Sequence, residues 1–111
     1  MKYKIYHDKD SAIIQLSGDV DLYTTPDARK VILSYLKKGM STAVSLKKVS
    51  YIDSSGLAVL VEALKYARNH GLKFGIIGVS DFARNVLELA CLDRVFPFYK
   101  SVQQWQDAVK Q

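Results

Sequence analysis

The amino-acid sequence predicts an α/β fold: a mixed β-sheet of about four to five strands with about four helices packed against it. Two observations carry this. After Gly18, apolar strand-like runs alternate with amphipathic helical runs, as in a layered α/β structure. Before it, two strand-like runs flank a polar turn, the signal of an antiparallel hairpin.

The hairpin strands are Tyr3 to His7 and Ala12 to Leu16, joined by Asp8-Lys9-Asp10-Ser11. Thr25 then caps a helix with Pro26 at its first position, where a missing N–H costs nothing. Ala28, Val31, Ile32, Tyr35 and Leu36 form its apolar side, and Gly39 ends it. A third strand runs from Thr42 to Leu46. A second helical pattern covers Leu57 to Asn69 and stops at Gly71. Phe74 to Ile77 is the fourth strand. Ser80 or Asp81 caps a third helix, with Phe82, Val86, Leu89 and Ala90 as its apolar side. Phe96 to Tyr99 is a short last strand, and Pro97 favours an edge position for it. Ser101-Val-Gln-Gln104 has the spacing of a capping box for a terminal helix carrying Trp105 and Val109.

At 111 residues and 49% hydrophobic content, the chain suits one domain with a modest core. The single cysteine, Cys91, forbids an internal disulfide and fits a reducing compartment. It lies in the apolar run Val86–Leu92, which predicts a buried packing role. No stretch approaches the ~20 apolar residues needed to span a bilayer, and no signal peptide is visible. The expectation is a cytoplasmic protein without membrane insertion.

The formal net charge is +5. Its lysines and arginines are dispersed along the chain, and such charge mostly serves solubility, so no nucleic-acid partner is expected. Enzyme readings fail on spacing. There is no phosphate-binding Gly-rich loop followed by Lys-Ser or Lys-Thr. His7 and His70 have no cysteine at zinc-ligand spacing. His70 lies about 22 Å along the same helix from Ser55, which excludes a Ser-His-Asp triad with Asp53. Asp19 and Asp21 read as solvated acids of a turn. The expectation is a non-enzyme with no cofactor and no metal.

The most informative segment is Tyr51-Ile52-Asp53-Ser54-Ser55-Gly56-Leu57, where a strand-like run turns into a helix. Helix N-termini carry unpaired N–H groups and partial positive charge, so they suit hydroxyl caps and phosphate groups. A helical wheel separates the serines. Leu57, Leu60, Val61, Leu64 and Ala67 form an apolar stripe centred about 180° from Ser55. Ser55 then faces outward, in a row with Glu62, Tyr66 and Asn69. Ser54 falls near the Val61 edge of the buried side and reads as the N-cap. Val59 lies within about 40° of Ser55, and Ala58 a little further round. On local pattern alone, Asp-Ser-Ser-Gly before an apolar helix is simply a helix start.

Asp53-Ser54-Ser55-Gly56-Leu57 resembles the signature of the STAS domain, the family of sulphate transporters and anti-sigma factor antagonists. Leu16-Ser17-Gly18-Asp19-Val20-Asp21-Leu22 resembles its second strand and following turn, and Thr24-Thr25-Pro26 the opening of its first helix. Gly71–Gly78 resembles the next strand, and Leu87–Phe96 the helix and turn before the last one. The resemblance covers nearly the whole chain and implies a single STAS domain over 1–111. It implies that Ser55 accepts a phosphoryl group, with Asp21 and Asp53 nearby. Ser54, Gly56, Ala58, Val59, Glu62 and Tyr66 complete the expected partner-binding surface. The implied partners are an anti-sigma factor serine kinase and a serine phosphatase. The implied function is an anti-sigma factor antagonist that binds when Ser55 is unphosphorylated and releases when it is phosphorylated. An alternative within the family is a non-enzymatic subunit docked on an ABC-type lipid transporter. Two features depart from the family: Ser45 or Lys47 where an aspartate is common, and a basic rather than acidic balance.

Overall fold

The computed structural model describes residues Met1–Gln111. The elements are β1 (Lys2–His7), β2 (Ser11–Val20), α1 (Thr25–Lys37), β3 (Ser41–Ile52), α2 (Ser54–Asn69), β4 (Phe74–Val79), α3 (Asp81–Leu89), β5 (Phe98–Tyr99) and α4 (Val102–Val109). They build one mixed sheet of five strands in the order β1-β2-β3-β4-β5. β1 is antiparallel to β2, and every later neighbour pair is parallel.

Sequential strand order has a consequence for the helices. Parallel crossovers are almost always right-handed, so crossovers that step in one direction put their helices on one face. The packing agrees. Ala28 and Ile32 of α1, Leu60 of α2 and Leu87 of α3 share a core with Ile14, Val44 and Ile76 of the sheet. Strand side chains alternate between faces. Ile13, Ala43 and Ile77 therefore point the other way, where only α4 covers them, through Trp105. Trp105 is fully buried and packs edge-on to Tyr99 at 5.2 Å, while its indole N–H finds no acceptor. Gly75 leaves the room for this pair: a Cβ there would lie 2.4 Å from the Tyr99 ring.

β2 and β3 run further than periodicity predicts, to Val20 and Ile52. Their pairing shifts register after Gln15 and again after Gly18, whose φ is +81°. The N-cap of α1 is Thr24, not Thr25, and Pro26 sits in the first turn as expected. Gly39 and Gly71 adopt positive φ just beyond their helices. Ser80 caps α3, and Ser101 caps α4 by accepting the Gln104 N–H at 3.0 Å. β5 is only Phe98–Tyr99, because Phe96 leaves the strand and enters the core against Phe74.

Cys91 corrects an expectation. It is exposed, because α3 ends at Leu89 and the chain reverses through Cys91 at φ +58°. Leu89 and Phe82 are likewise 86% and 42% exposed, since Ala83 and Leu87 are the residues of α3 that enter the core.

Candidate functional site

β2 and β3 are parallel neighbours, so their C-terminal ends deliver two turns side by side. The Asp53 N–H bonds to the Val20 carbonyl at 3.2 Å, tying the turns together. In the first turn, Asp21 Oδ1 accepts the N–H groups of Tyr23 (3.0 Å) and Thr24 (3.2 Å). Thr24 Oγ1 accepts the Asp21 N–H at 2.8 Å. This closed ring of bonds holds Asp21 in the turn and pushes Leu22 and Tyr23 outward, 68% and 88% exposed. The pattern of Asp followed by Thr three residues on could have signalled such a turn.

In the second turn, Asp53 is the N-cap of α2, and Ser54 is not. Asp53 has extended backbone, and its Oδ1 accepts from the Ser55 N–H (2.9 Å), the Gly56 N–H (3.3 Å) and the Ser55 hydroxyl (2.5 Å). An ionised cap suits these orphan donors and the positive end of the helix. The Ser55 hydroxyl is the main cause that holds the Asp53 carboxyl below its usual range. Partial burial opposes it, and the N–H groups of Gly56, Ser55 and Leu22 add to it.

Ser54 is the exposed serine and Ser55 is half-buried, the reverse of the wheel's ranking. Val59, expected beside Ser55 on the surface, is 8% exposed and belongs to the core. Gly56 is buried too. Its task is close packing: a Cβ would lie 2.7 Å from Ile52 Cγ1 and 3.0 Å from Val20 Cγ1. The buried face of α2 includes Gly56, Val59 and Ala63 because α1 packs along it while the sheet lies beneath.

The outer side of α2 carries a shallow depression lined by Ala58, Val61, Glu62, Lys65 and Tyr66. It brings together three expected residues, Ala58, Glu62 and Tyr66. Val61, half-buried at the edge of the core stripe and packed against the core, also lines the depression. Glu62 forms a two-pronged ion pair with Arg29 of α1, both bonds 2.7 Å, and this holds its carboxyl below the usual range. Tyr66 stacks on His70 at 3.9 Å, and His70 Nδ1 meets the Tyr66 carbonyl at 2.8 Å. His70 is the C-cap of α2, as its sequence position suggests. Beyond the expected set, Tyr51 and Phe82 pack at 5.5 Å at the same end of the sheet, each 42% exposed.

A family model described as "STAS domain" matches residues 2–105. The chain belongs to the STAS domain family. Within the STAS family, the anti-sigma-B factor antagonist of Listeria monocytogenes is 33% identical over 89 residues, covering 79% of this chain and 78% of that protein. The solved structure of a putative anti-sigma factor antagonist from Thermotoga maritima superposes with a TM-score of 0.86 at 24% identity, covering 98% of this chain and 95% of that one. The Bacillus protein SpoIIAA in its phosphorylated form shares the STAS fold with a TM-score of 0.75 at 16% identity, covering 97% and 99% of the two chains. No helix of this STAS domain is long and apolar enough to cross a membrane.

Proposed function

We propose that this STAS domain is an anti-sigma factor antagonist whose grip on a kinase-type anti-sigma factor is switched by phosphorylation of Ser55. The observation that carries the reading is the bond from Ser55 Oγ to Asp53 Oδ1 at the first turn of α2. The names of the similar curated proteins support the role over constitutive docking on a transporter.

The chemistry is done to this domain and not by it. The anti-sigma kinase brings ATP, its γ-phosphoryl group bonds to Ser55 Oγ, and ADP leaves. Asp53 fixes the hydroxyl's orientation and is placed to take the proton that Oγ loses. A serine phosphatase restores the hydroxyl. Phosphorylated Ser55 has no proton to donate, so its bond to Asp53 is lost. About −1.5 to −2 charge then sits beside an ionised carboxylate. The phosphate turns outward, toward the positive end of α2, where it meets any protein packed on Ala58, Tyr66 and the Leu22-Tyr23 turn. Each 1.4 kcal/mol of repulsion and desolvation there weakens binding about tenfold. The domain works in the cytoplasm, where anti-sigma factors and ATP are found.

The test is reconstitution with an anti-sigma factor kinase co-purified with this domain from its native host. Ser55→Ala is expected to bind constitutively and accept no phosphate, and Ser55→Glu to bind at least about a hundredfold more weakly. Phosphate uptake by Ser55→Ala at the wild-type rate would move the acceptor elsewhere.

A further inference from the structure

The sheet face opposite α1–α3 is covered only where α4 crosses it. Two clefts open on this face and share Gln15. The first has a volume of about 460 Å³, within the roughly 300–1,000 Å³ typical of small-ligand sites. Its floor is recessed: Ile13 and Ile77 are each 7% exposed. Tyr6 and Val102 stand up as its walls, 55% and 47% exposed. Gln15, Ser45 and Gln106 are its only polar side chains besides the Tyr6 hydroxyl.

The second cleft holds Lys2, Lys4 and Lys48. Register explains the convergence. Lys2 pairs with Ser17, Lys4 with Gln15 and Tyr6 with Ile13, so one face of β1 continues one face of β2. Ser17 in turn pairs with Lys48 of β3. No carboxylate lines either cleft. Two acids flank the clefts on this side. Asp8 lines a separate cavity beyond Tyr6 and Gln106, its Oδ1 accepting the N–H groups of Asp10 and Ser11, and Asp19, further along β2, accepts the Ser50 hydroxyl at 3.1 Å. The face is thus apolar at one end and cationic at the other, with a hydrogen-bonding amide between them.

We propose that this uncovered sheet face binds a small, soluble amphiphilic anion, its apolar body over Ile13 and Ile77 and its terminal carboxylate at Lys2, Lys4 and Lys48. Charge complementarity selects the head group, because three ammonium groups with no carboxylate among them gain most from an anion. The recessed aliphatic floor selects the body. The site lies across the sheet from Ser55, so it takes its ligand in either phosphorylation state.

Trp105, the only tryptophan of the chain, packs with Ile13 and Ile77 and reports on the floor. The experiment titrates the intact protein with octanoate, below its micelle concentration, following Trp105 fluorescence and the melting temperature. Octanol and acetate serve as controls. Octanoate is expected to give a saturable change, with both controls about tenfold weaker or more. Lys4→Glu with Lys48→Glu, and separately Val102→Glu, are expected to raise the half-saturation concentration about tenfold. All three positions are exposed, so the ligand-free melting temperature is expected to hold. Equal response to octanol removes the lysines from the site, and equal response to acetate removes the apolar cleft. Either result overturns the proposal, as does the absence of saturation or indifference to both variants. Co-sedimentation with phosphatidylglycerol vesicles that octanoate does not displace would also overturn it, by assigning the face to a membrane surface.

Discussion

Replacing Gly56 by alanine sets helix propensity against packing at the residue beside Ser55. In an open helix the change stabilises by about 1 kcal/mol, because glycine loses more backbone freedom on folding. Here the new Cβ would lie 2.7 Å from Ile52 Cγ1, 3.1 Å from Ile52 Cδ1 and 3.0 Å from Val20 Cγ1. Both neighbours are 2% exposed, so neither can swing into solvent to make room. Overpacking of this kind costs about 1–3 kcal/mol. The steric term outweighs propensity, and the expected net destabilisation is about 1 kcal/mol. For a domain of this size that lowers the melting temperature by about 4 °C. Urea unfolding checks it directly, as a lower midpoint with an unchanged m-value. Ile52→Ala removes two of the three close contacts, so Gly56→Ala is expected to cost little in that background. The cycle should show a coupling of about 1 kcal/mol. A rise in melting temperature for Gly56→Ala alone, or additivity within about 0.5 kcal/mol, refutes the argument that this glycine exists for close packing.

Other perturbations read other parts of the site. Asp53→Asn removes the ionised cap from the Ser55 and Gly56 N–H groups. The folded-state pKa of Asp53 is depressed, so its contribution is present above the unfolded value and lost as pH falls through the folded one. Wild type is expected to melt above Asp53→Asn at pH 7, with the gap closing below about pH 3.9. Glu62→Gln breaks the pair with Arg29, whose side chains are 52% and 44% exposed. Its expected cost in urea unfolding is about 0.5 kcal/mol or less, vanishing in about 1 M salt. Leu22→Glu and Tyr23→Ala are expected to weaken anti-sigma factor binding about tenfold or more each, while circular dichroism melting stays at the wild-type temperature.

Element order, the hairpin and the helix stops were legible because they rest on local chemistry: a polar turn, alternating apolar residues, Gly39, Gly71 and the Ser80 and Ser101 caps. The far half of β3 was not legible. Lys47 and Lys48 interrupt its apolar run, yet Val49 and Ile52 resume it in the core. The two serines differ from the wheel in exposure for a tertiary reason. A wheel assumes one buried stripe, but α2 is covered by the sheet below and by α1 at its side. That widens the buried arc to Gly56 and Val59 and draws Ser55 partly inward. Asp53 then takes the capping role expected of Ser54. Cys91 is exposed against expectation because apolar neighbours predict burial only while the helix lasts, and the left-handed turn at Cys91 ends that relation. Leu22 carried no periodic signal at all, since its exposure follows from the hydrogen-bonded ring around Asp21.

Because Ser54 is the more exposed hydroxyl and Ser55 the one bonded to Asp53, phosphosite mapping separates accessibility from orientation as the basis of the switch. The measurement is intact-protein mass spectrometry with fragment mapping on the chain purified from its native host, alongside Ser54→Ala and Ser55→Ala. The expected result is one phosphate on Ser55, retained in Ser54→Ala and absent from Ser55→Ala. A phosphate mapped to Ser54, or none under any growth condition, contradicts the account.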